Sequence, residues 1–228
     1  MQTIPTIVQV VTRTKNSQVA SSGFRAEDLF CIQESVKQAL GTYFGKDIRT
    51  IEKEKPRKKT DLVVTCEDGT VYRIQNKNGS NLRGFSCNRS KLLQLTSDPV
   101  CQTLLGNVCL KRGEERPLVG KEQSLLLLRT CILGKDPLFE PTHITHTQLK
   151  DSTLTSLSIC TTEVFLKHLE SELYETMLPK KTCVHISPSI YFQRKGGGNK
   201  DASPEDIQTK WKQGTLSKTL FTHLLGDL

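Results

Sequence analysis

The feature that most constrains the fold of this chain is a pair of short segments with strand character on either side of a strong turn. Residues 62–64 are an apolar run, and residues 70–75 are rich in β-branched and aromatic side chains. Residues 67–69 read Glu-Asp-Gly, a turn signal that is typical of hairpins. The sequence therefore predicts an antiparallel hairpin here.

Three polar side chains at one end of this hairpin favour metal-dependent hydrolysis of a phosphodiester. Asp61 opens the first strand, and Gln75 and Lys77 are two residues apart on the second, so both project from the same face opposite Asp61. The reaction requires oxygen ligands for a divalent ion and a cation near the attacking water or the developing charge. The alternative interpretation is a turn cap at Asp61 and exposed polar residues at the other two positions.

One member of this set is an unusual metal ligand. Gln75 is neutral and offers a single carbonyl oxygen, so a further carboxylate is expected. Glu27 is the candidate, because a helix packed behind the sheet can direct one acidic side chain towards the site.

Two polar segments supply groups that contact nucleic acid. Asn and Arg side chains hydrogen-bond phosphates or base edges, glycines allow close approach of the backbone, and an aromatic ring can wedge between bases. The first segment offers Ser80, Asn81, Arg83 and Phe85, and the second offers Gln193, Arg194, Lys195, Asn199 and Lys200. The alternatives are a polar loop with its aromatic ring in the core and a flexible linker.

The order of these motifs resembles that of the PD-(D/E)xK nucleases. It is most similar to that of the type II restriction endonucleases related to MspI and to the HinP enzyme, which cut four-base-pair sites. The resemblance lies in residues 23–27, in Asp61 with Gln75-Asn76-Lys77, in residues 80–85 and in residues 190–197. The family replaces the second carboxylate by Gln or Asn, so Gln75 fits the family pattern.

The resemblance implies an α/β fold with a mixed central β-sheet flanked by helices. It also implies that Asp61, Gln75 and Glu27 hold Mg²⁺, for which Mn²⁺ would substitute. Lys77 would position the nucleophile or neutralise charge.

The resemblance further implies that double-stranded DNA is the partner, cut at a short palindrome of four base pairs. Phe85 would insert into the DNA, and Gln193, Arg194 and Lys195 would face the recognition sequence, although Gly198 stands where an acidic residue is expected. A cognate DNA methyltransferase acting on the same site is a further expected partner. Both a monomer and a dimer remain open.

Composition agrees with a nucleic-acid partner and a single globular domain. The 228 residues carry 32 Lys and Arg against 24 Asp and Glu, a net charge of +8 that suits a polyanion. No apolar stretch approaches the length of about 18 residues that a membrane span needs, and the N-terminus lacks a secretory signal, so a cytoplasmic protein is expected. The eight cysteines show no C-x-x-C pair and are interpreted as small buried hydrophobes rather than a zinc site.

Other segments carry weaker predictions. Apolar spacing predicts one helix from Phe24 to Gly41 or Gly45, with Ser21 and Ser22 as capping candidates. Further predictions are a strand or the close of an N-terminal arm within 6–11, a basic loop over 46–59 and a mostly helical insert or scaffold over 95–180. Within that scaffold, residues 121–133 have a helical or mixed apolar pattern and residues 162–178 a clear amphipathic helix pattern. Strands broken at Ser187-Pro188 are predicted in 183–192, and a helix is predicted to begin at residues 203–206. The pair His143 and His146 is interpreted as a surface or capping feature.

Two other functions remain open at this point. A DNA-binding protein that does not cleave would use the same basic loops with an inactive Asp61 site. A nuclease selective for structured or single-stranded nucleic acid would share the active site and ignore duplex sequence.

Overall fold

A six-stranded mixed sheet is the central layer of the protein. The structure, a computed structural model, describes residues 15–54, 58–79, 86–88, 120–134, 136–176, 178–180, 183–194, 206–211 and 220–226. In spatial order the sheet contains β1 (Ile48–Lys53), β2 (Leu62–Cys66), β3 (Val71–Asn78), β5 (His143–Lys150), β6 (Thr153–Thr161) and β11 (Thr222–Leu225). The β3–β5 pair is parallel and the other pairs are antiparallel.

The predicted hairpin is confirmed as β2 and β3. Leu62 pairs with Ile74 and Val64 with Tyr72, and Cys66 accepts a hydrogen bond from the backbone of Gly69 at 3.0 Å. Gly69 has a φ of 85°, a left-handed conformation that a residue with a side chain rarely adopts. The turn therefore fixes the register that brings the start of β2 beside the end of β3.

Two helices, rather than the single one predicted, cover one face of the sheet. They are α1 (Lys15–Ile32) and α2 (Glu34–Phe44), so Ser21 and Ser22 lie inside α1 and do not cap it. The break is at Gln33, whose backbone is extended and whose side-chain amide binds the backbone of Leu154 on β6. The expected end at Gly45 is confirmed, with a φ of 62°.

Both faces of the central sheet are buried in apolar cores. On one face, side chains of α1 and α2 such as Phe30 and Leu40 pack with Leu62 and Ile74. On the other, the core contains side chains from α3 (Lys121–Leu133) and α4 (Thr162–Ser171), together with Ile144 of β5. The predicted α/β fold, a mixed sheet flanked by helices, is confirmed, and Cys66, Cys131 and Cys160 are buried as expected.

A second sheet of five antiparallel strands packs against this second core. Its order is β4 (Ser86–Asn88), β10 (Asp206–Trp211), β9 (Ile190–Arg194), β8 (Cys183–His185) and β7 (Leu178–Lys180). The strands predicted on either side of Ser187-Pro188 are thus present as β8 and β9.

Two helix predictions in this region are wrong. The segment after residues 203–206 forms β10, because Thr209 and Trp211 are buried at alternate positions and the strand pairs with both β9 and β4. The helix predicted to reach residue 178 ends at Ser171, because the backbone N–H of Tyr174 already donates to Ile186 O and Leu178–Lys180 pairs with β8.

Two regions that were not expected to contain strands contribute to the central sheet. The predicted loop over 46–59 contains β1, and the predicted helical scaffold over 95–180 contains β5 and β6, which pair with each other over most of their length. Their Thr and Ser residues gave no apolar alternation, yet Thr145, Thr147 and Ser158 are buried. Residues 121–133, whose helical or mixed apolar pattern left the element open, form α3, and the strand or N-terminal arm expected within 6–11 lies outside the described residues.

None of the helices in the described ranges is both long and apolar enough to cross a membrane.

The Gln33 amide predicts a stability effect that can be measured. Its Nε2 donates to Leu154 O at 3.0 Å and its Oε1 accepts from Leu154 N at 3.1 Å. Gln33→Ala should lower the free energy of unfolding by about 1–3 kcal/mol, because the backbone N–H and C=O of Leu154 on β6 both lose their hydrogen-bond partner. Urea denaturation measures the change.

The matched control is Gln38→Ala, which truncates an exposed glutamine on α2. It should change the free energy of unfolding by no more than about 0.5 kcal/mol. Equal effects of the two substitutions would contradict the role assigned to Gln33.

Candidate active site

The residues at the open end of the hairpin are joined by backbone hydrogen bonds that fix Asp61. Its N–H donates to Ile74 O and its carbonyl accepts from Glu54 N, both at 2.9 Å. Its carboxylate Oδ2 accepts from the backbone N–H of Asn76, also at 2.9 Å. Asp61 is thus bound through its backbone to Glu54, directly after β1, and to β3 through its backbone and side chain.

Asn76 holds β3 against β5 and thereby sets the direction of its neighbours. Its Oδ1 accepts hydrogen bonds from the hydroxyls of Thr145 at 2.9 Å and Thr147 at 3.2 Å. Because side chains alternate along a strand, Gln75 and Lys77 project from the opposite face. The expectation that these two side chains share a face agrees with the structure.

Gln75 presents a buried oxygen that the described part of the chain does not satisfy. The side chain is 4% exposed, and its Oε1 has no hydrogen-bond partner among the described residues. A buried carbonyl oxygen without a partner costs about 1–3 kcal/mol, so such atoms are uncommon unless an ion, a water or a ligand meets them. This oxygen lies on the strand that the Asp61 carboxylate contacts.

Burial opposes the charged forms of both Asp61 and Lys77. It raises the pKa of Asp61 above its ordinary value, while the charges of Lys77 and Lys59 and the N–H of Asn76 act in the other direction. Burial likewise lowers the pKa of Lys77, against the attraction of Asp61 and Glu27. A lysine with a lowered pKa is a better proton acceptor than an exposed one.

Glu27 on α1 is electrostatically part of the same group. Its pKa is raised to about 7, first by burial and then by the negative charge of Asp61, whereas the positive charges of Lys53 and Lys77 lower it. The helix is anchored beside it by Ala26 and Phe30, both fully buried. The structure therefore brings Glu27 into the electrostatic range of Asp61 and Lys77, as the sequence interpretation expected.

The donor set can be tested against a divalent metal. Within the described ranges no three His, Cys, Asp or Glu side chains form a group that could hold an ion. Asp61 and Glu27 supply carboxylate oxygens, and the unsatisfied Oε1 of Gln75 is the neutral oxygen that a hard cation accepts. By donor chemistry alone, these three side chains suit Mg²⁺ or Mn²⁺ when the amide oxygen is included.

Two further residues adjoin this group and were not identified from the sequence. His146 lies beside Lys77 in the β3–β5 register, and its Nε2 is 2.6 Å from the carbonyl of Gly79, directly after β3. Lys59 acts electrostatically on both Asp61 and Lys77. The available signals were the position of Lys59 two residues before Asp61 and the strand-like segment around His146.

The two histidines of the H-x-x-H pair have separate environments. Three residues apart on β5, they project from opposite faces, so they cannot bind one metal together. His143 lies edge-on to the rings of Tyr43, Phe44 and Tyr72, where burial lowers its pKa to about 4. Neither histidine is the surface residue that the sequence suggested, since His143 is buried and His146 is half-buried.

Most of the predicted DNA contacts lie outside the described residues. These are Ser80, Asn81, Arg83, Phe85, Lys195, Asn199 and Lys200, together with the side chain of Arg194. Gln193 is described: it lies half-buried on β9, paired with Gln208 on one side and Cys183 on the other. The backbone of Arg194 ends β9, so the glycine-rich segment begins at the edge of the second sheet.

Comparison with known proteins gives similarity at the level of structure and none at the level of sequence families. No family model matches the chain, and no curated protein matches it. Among solved structures, the chain is similar to the restriction endonuclease MspI, crystallised in complex with its cognate DNA. That similarity has a TM-score of 0.46 and 11% sequence identity, and covers 78% of this chain and 77% of the other.

The raised pKa of Glu27 predicts a pH dependence of stability in metal-free buffer. Between the ordinary value of 4.5 and about 7, the folded protein binds the Glu27 proton more tightly than the unfolded chain does. The contribution of Glu27 to stability therefore falls as pH rises through that window and is constant above it. Glu27→Gln should gain stability relative to wild type when the pH is raised from 4.5 to 8, as measured by urea denaturation in EDTA.

Glu67→Gln is the control, because Glu67 is exposed in the hairpin turn. Its stability difference from wild type should be nearly the same at both pH values. A pH-independent difference for Glu27→Gln would contradict the buried environment described for Glu27.

Proposed function

We propose that this protein is a metal-dependent DNA endonuclease that hydrolyses phosphodiester bonds in double-stranded DNA. The observation that supports this most strongly is the buried Oε1 of Gln75, which has no hydrogen-bond partner among the described residues. Gln75 directly precedes Asn76, whose N–H binds the Asp61 carboxylate, and Lys77 lies two residues further along the strand. A carboxylate, an amide oxygen and a lysine at one end of a hairpin are the groups that the reaction requires. The net charge of +8 suits the polyanionic substrate.

Each residue has a defined role in this proposal. Asp61, Gln75 and Glu27 would hold Mg²⁺, or Mn²⁺ in its place, and the ion would supply Lewis-acid stabilisation of the charge that develops on the phosphate. The amine of Lys77 would accept or hold the proton of the attacking water, a role that its lowered pKa favours. Asn76 is a positioning residue, because its N–H fixes the Asp61 carboxylate.

The specificity part of the proposal rests on the two polar segments of the sequence. Ser80, Asn81, Arg83 and Phe85 would contact the DNA directly after the catalytic strand, and Gln193, Arg194, Lys195, Asn199 and Lys200 would face the bases or phosphates. We propose a short palindromic site of four base pairs, a cognate methyltransferase that acts on the same site, and action in the cytoplasm.

A DNA-binding protein without cleavage is the second candidate function. It is favoured by the charge of the site, because only Asp61 and Glu27 contribute carboxylates and the pKa of Glu27 is about 7. At neutral pH Glu27 is then only partly ionised, so a divalent ion is held more weakly than by two full carboxylates. A nuclease selective for structured or single-stranded nucleic acid would have the same site with different substrate contacts.

Digestion of long unmethylated duplex DNA in Mg²⁺ separates these functions. The expected result is a set of discrete fragments whose sequenced ends share one short palindrome, and no cleavage in EDTA. A uniform smear that requires Mg²⁺ would support the proposed active site and contradict the proposed sequence specificity. Intact DNA together with a mobility shift would instead establish the binding protein.

Lys77→Ala should abolish cleavage and leave DNA affinity nearly unchanged. The substitution removes the amine from the site, whereas Lys77 is half-buried and contributes less than an exposed lysine to the surface that meets DNA. A loss of roughly 100-fold or more in the single-turnover rate is expected for a general base or charge-stabilising group. Rates under saturating enzyme and affinities in EDTA measure the two effects separately.

Lys150→Ala is the matched control, since Lys150 is an exposed lysine at the far end of β5. It removes the same charge and should cut at close to the wild-type rate. Cleavage by Lys77→Ala at the wild-type rate would exclude Lys77 from the chemistry.

A further inference from the structure

The end of β3 is bound to β5 by a side chain on the face from which Lys77 projects. His146 stands opposite Lys77 in the parallel register of the two strands, so both side chains leave the sheet on the same face. The Nε2 of His146 lies 2.6 Å from the carbonyl oxygen of Gly79, the first residue after β3. A carbonyl oxygen can only accept, so Nε2 carries the hydrogen and donates it.

The backbone of Gly79 is bound to β5 at two points. Its N–H donates to Thr147 O at 3.0 Å, and its carbonyl accepts from the His146 ring. Its φ of 134° is one that residues with a side chain rarely adopt, so the chain changes direction here. A backbone ladder bond and a side-chain bond thus meet at the residue where β3 stops.

Lys77 therefore lies between two fixed points of the same strand. On one side of it is Asn76, whose Oδ1 accepts from the hydroxyls of Thr145 and Thr147 on the opposite face of the sheet. On the other side is Gly79, which His146 binds on the face of Lys77 itself. One strand, β5, supplies both contacts, so it determines the backbone position from which the Lys77 side chain starts.

The His146 ring makes this contact without adding a charge beside Lys77. Burial lowers its pKa below the ordinary value of 6.5, the bond to Gly79 acts in the other direction, and the nearby His223 lowers the pKa further. The ring is therefore mainly neutral at pH 7. Its influence on the site is exerted through the hydrogen bond rather than through electrostatic attraction or repulsion.

We propose that His146 is a positioning residue for Lys77: by binding the carbonyl of Gly79 it fixes the end of β3 and thereby the place from which the Lys77 amine reaches the site. Its importance for cleavage rests on the proposed nuclease function, whereas its hold on β3 does not. A reacting group has to be placed closely, because a misplacement of about 1 Å can cost roughly 100-fold in rate.

The first test compares three substitutions at position 146 in single-turnover cleavage with Mg²⁺. His146→Leu removes the donor. His146→Asn and His146→Gln are a matched pair of amides, of which only the longer Gln carries its N–H at the distance of the histidine Nε2. His146→Leu and His146→Asn should lose roughly 10- to 100-fold in rate, and His146→Gln should recover most of that loss.

Affinity for duplex DNA in EDTA should be nearly unchanged in all three variants, because the bond that is lost lies within the protein. A wild-type rate in His146→Leu and His146→Asn, or an equal loss in His146→Gln, would overturn the proposal. The Leu and Asn variants differ in polarity, and urea midpoints show which of them is folded and carries the comparison.

His223→Leu is the control for the loss of a histidine on this face. His223 is exposed and stands opposite Ser158 on β6, which in turn stands opposite His146 on β5. The substitution removes the histidine that acts on His146 and leaves the bond to Gly79 in place, so the rate should stay close to that of wild type. A loss equal to that of His146→Leu would show that the histidine pair, and not the bond, matters.

The second test measures hydrogen exchange of the Gly79 amide by NMR, without metal or DNA. Its N–H should exchange at least about tenfold faster in His146→Leu and close to the wild-type rate in His146→Gln, because local opening at the end of β3 exposes it. The amide of Asp61, which donates to Ile74 O, is the internal reference and should be unaffected. Unchanged exchange at Gly79, or equal acceleration at Asp61, would overturn the local role of His146.

The two tests separate this proposal from the proposed nuclease function. A wild-type protein that binds DNA but does not cut it in Mg²⁺ removes the nuclease proposal, and the exchange of Gly79 still decides whether His146 fixes the end of β3. If the wild-type protein cuts and His146→Leu cuts equally fast despite a loss of protection at Gly79, the role of His146 in placing Lys77 is overturned alone.

Discussion

The hydrogen bond from the backbone N–H of Asn76 to Asp61 Oδ2 is the interaction on which the geometry of the site depends. It fixes a carboxylate at a place where burial alone would favour its neutral form. The Asn76 side chain is bound in turn to Thr145 and Thr147, so β3 is held between β2 and β5. The hairpin and a strand from much later in the sequence thereby support one carboxylate, and Gln75 and Lys77 take their direction from the same peptide segment.

The electrostatics of the site show burial opposing the attraction between opposite charges. Burial raises the pKa of Asp61 and Glu27 and lowers that of Lys77, although each carboxylate favours the charged lysine. Removing one member of such a buried charged group costs stability, whereas replacing the whole group by apolar residues often does not. A divalent ion would favour both carboxylates in their charged forms and would also give the Gln75 Oε1 a partner. A divalent ion would therefore compensate both destabilising features of the site, the buried carboxylates and the Gln75 oxygen.

The parts of the structure that local signals determine could be predicted from the sequence. Glu-Asp-Gly defines the hairpin turn, and the spacing of Gln75 and Lys77 gives their common face. The break at Gln33 could not be predicted, because its amide binds Leu154, 121 residues away. The strands β5 and β10 were missed because their pairing partners, rather than apolar alternation, determine them: buried Thr145 and Thr209 read as polar positions in a single chain.

Lys59 shows why part of the site is also hidden from sequence reasoning. In the sequence it is one lysine of a basic run, and its electrostatic effect on Asp61 and Lys77 follows only from the three-dimensional structure. The neutral Gln75 gives this effect a chemical consequence. A site with an amide in place of a carboxylate carries less negative charge and binds a cation less tightly. The positive charge of Lys59 lowers the pKa of Asp61 and so favours its ionised form, which is the form that binds a cation.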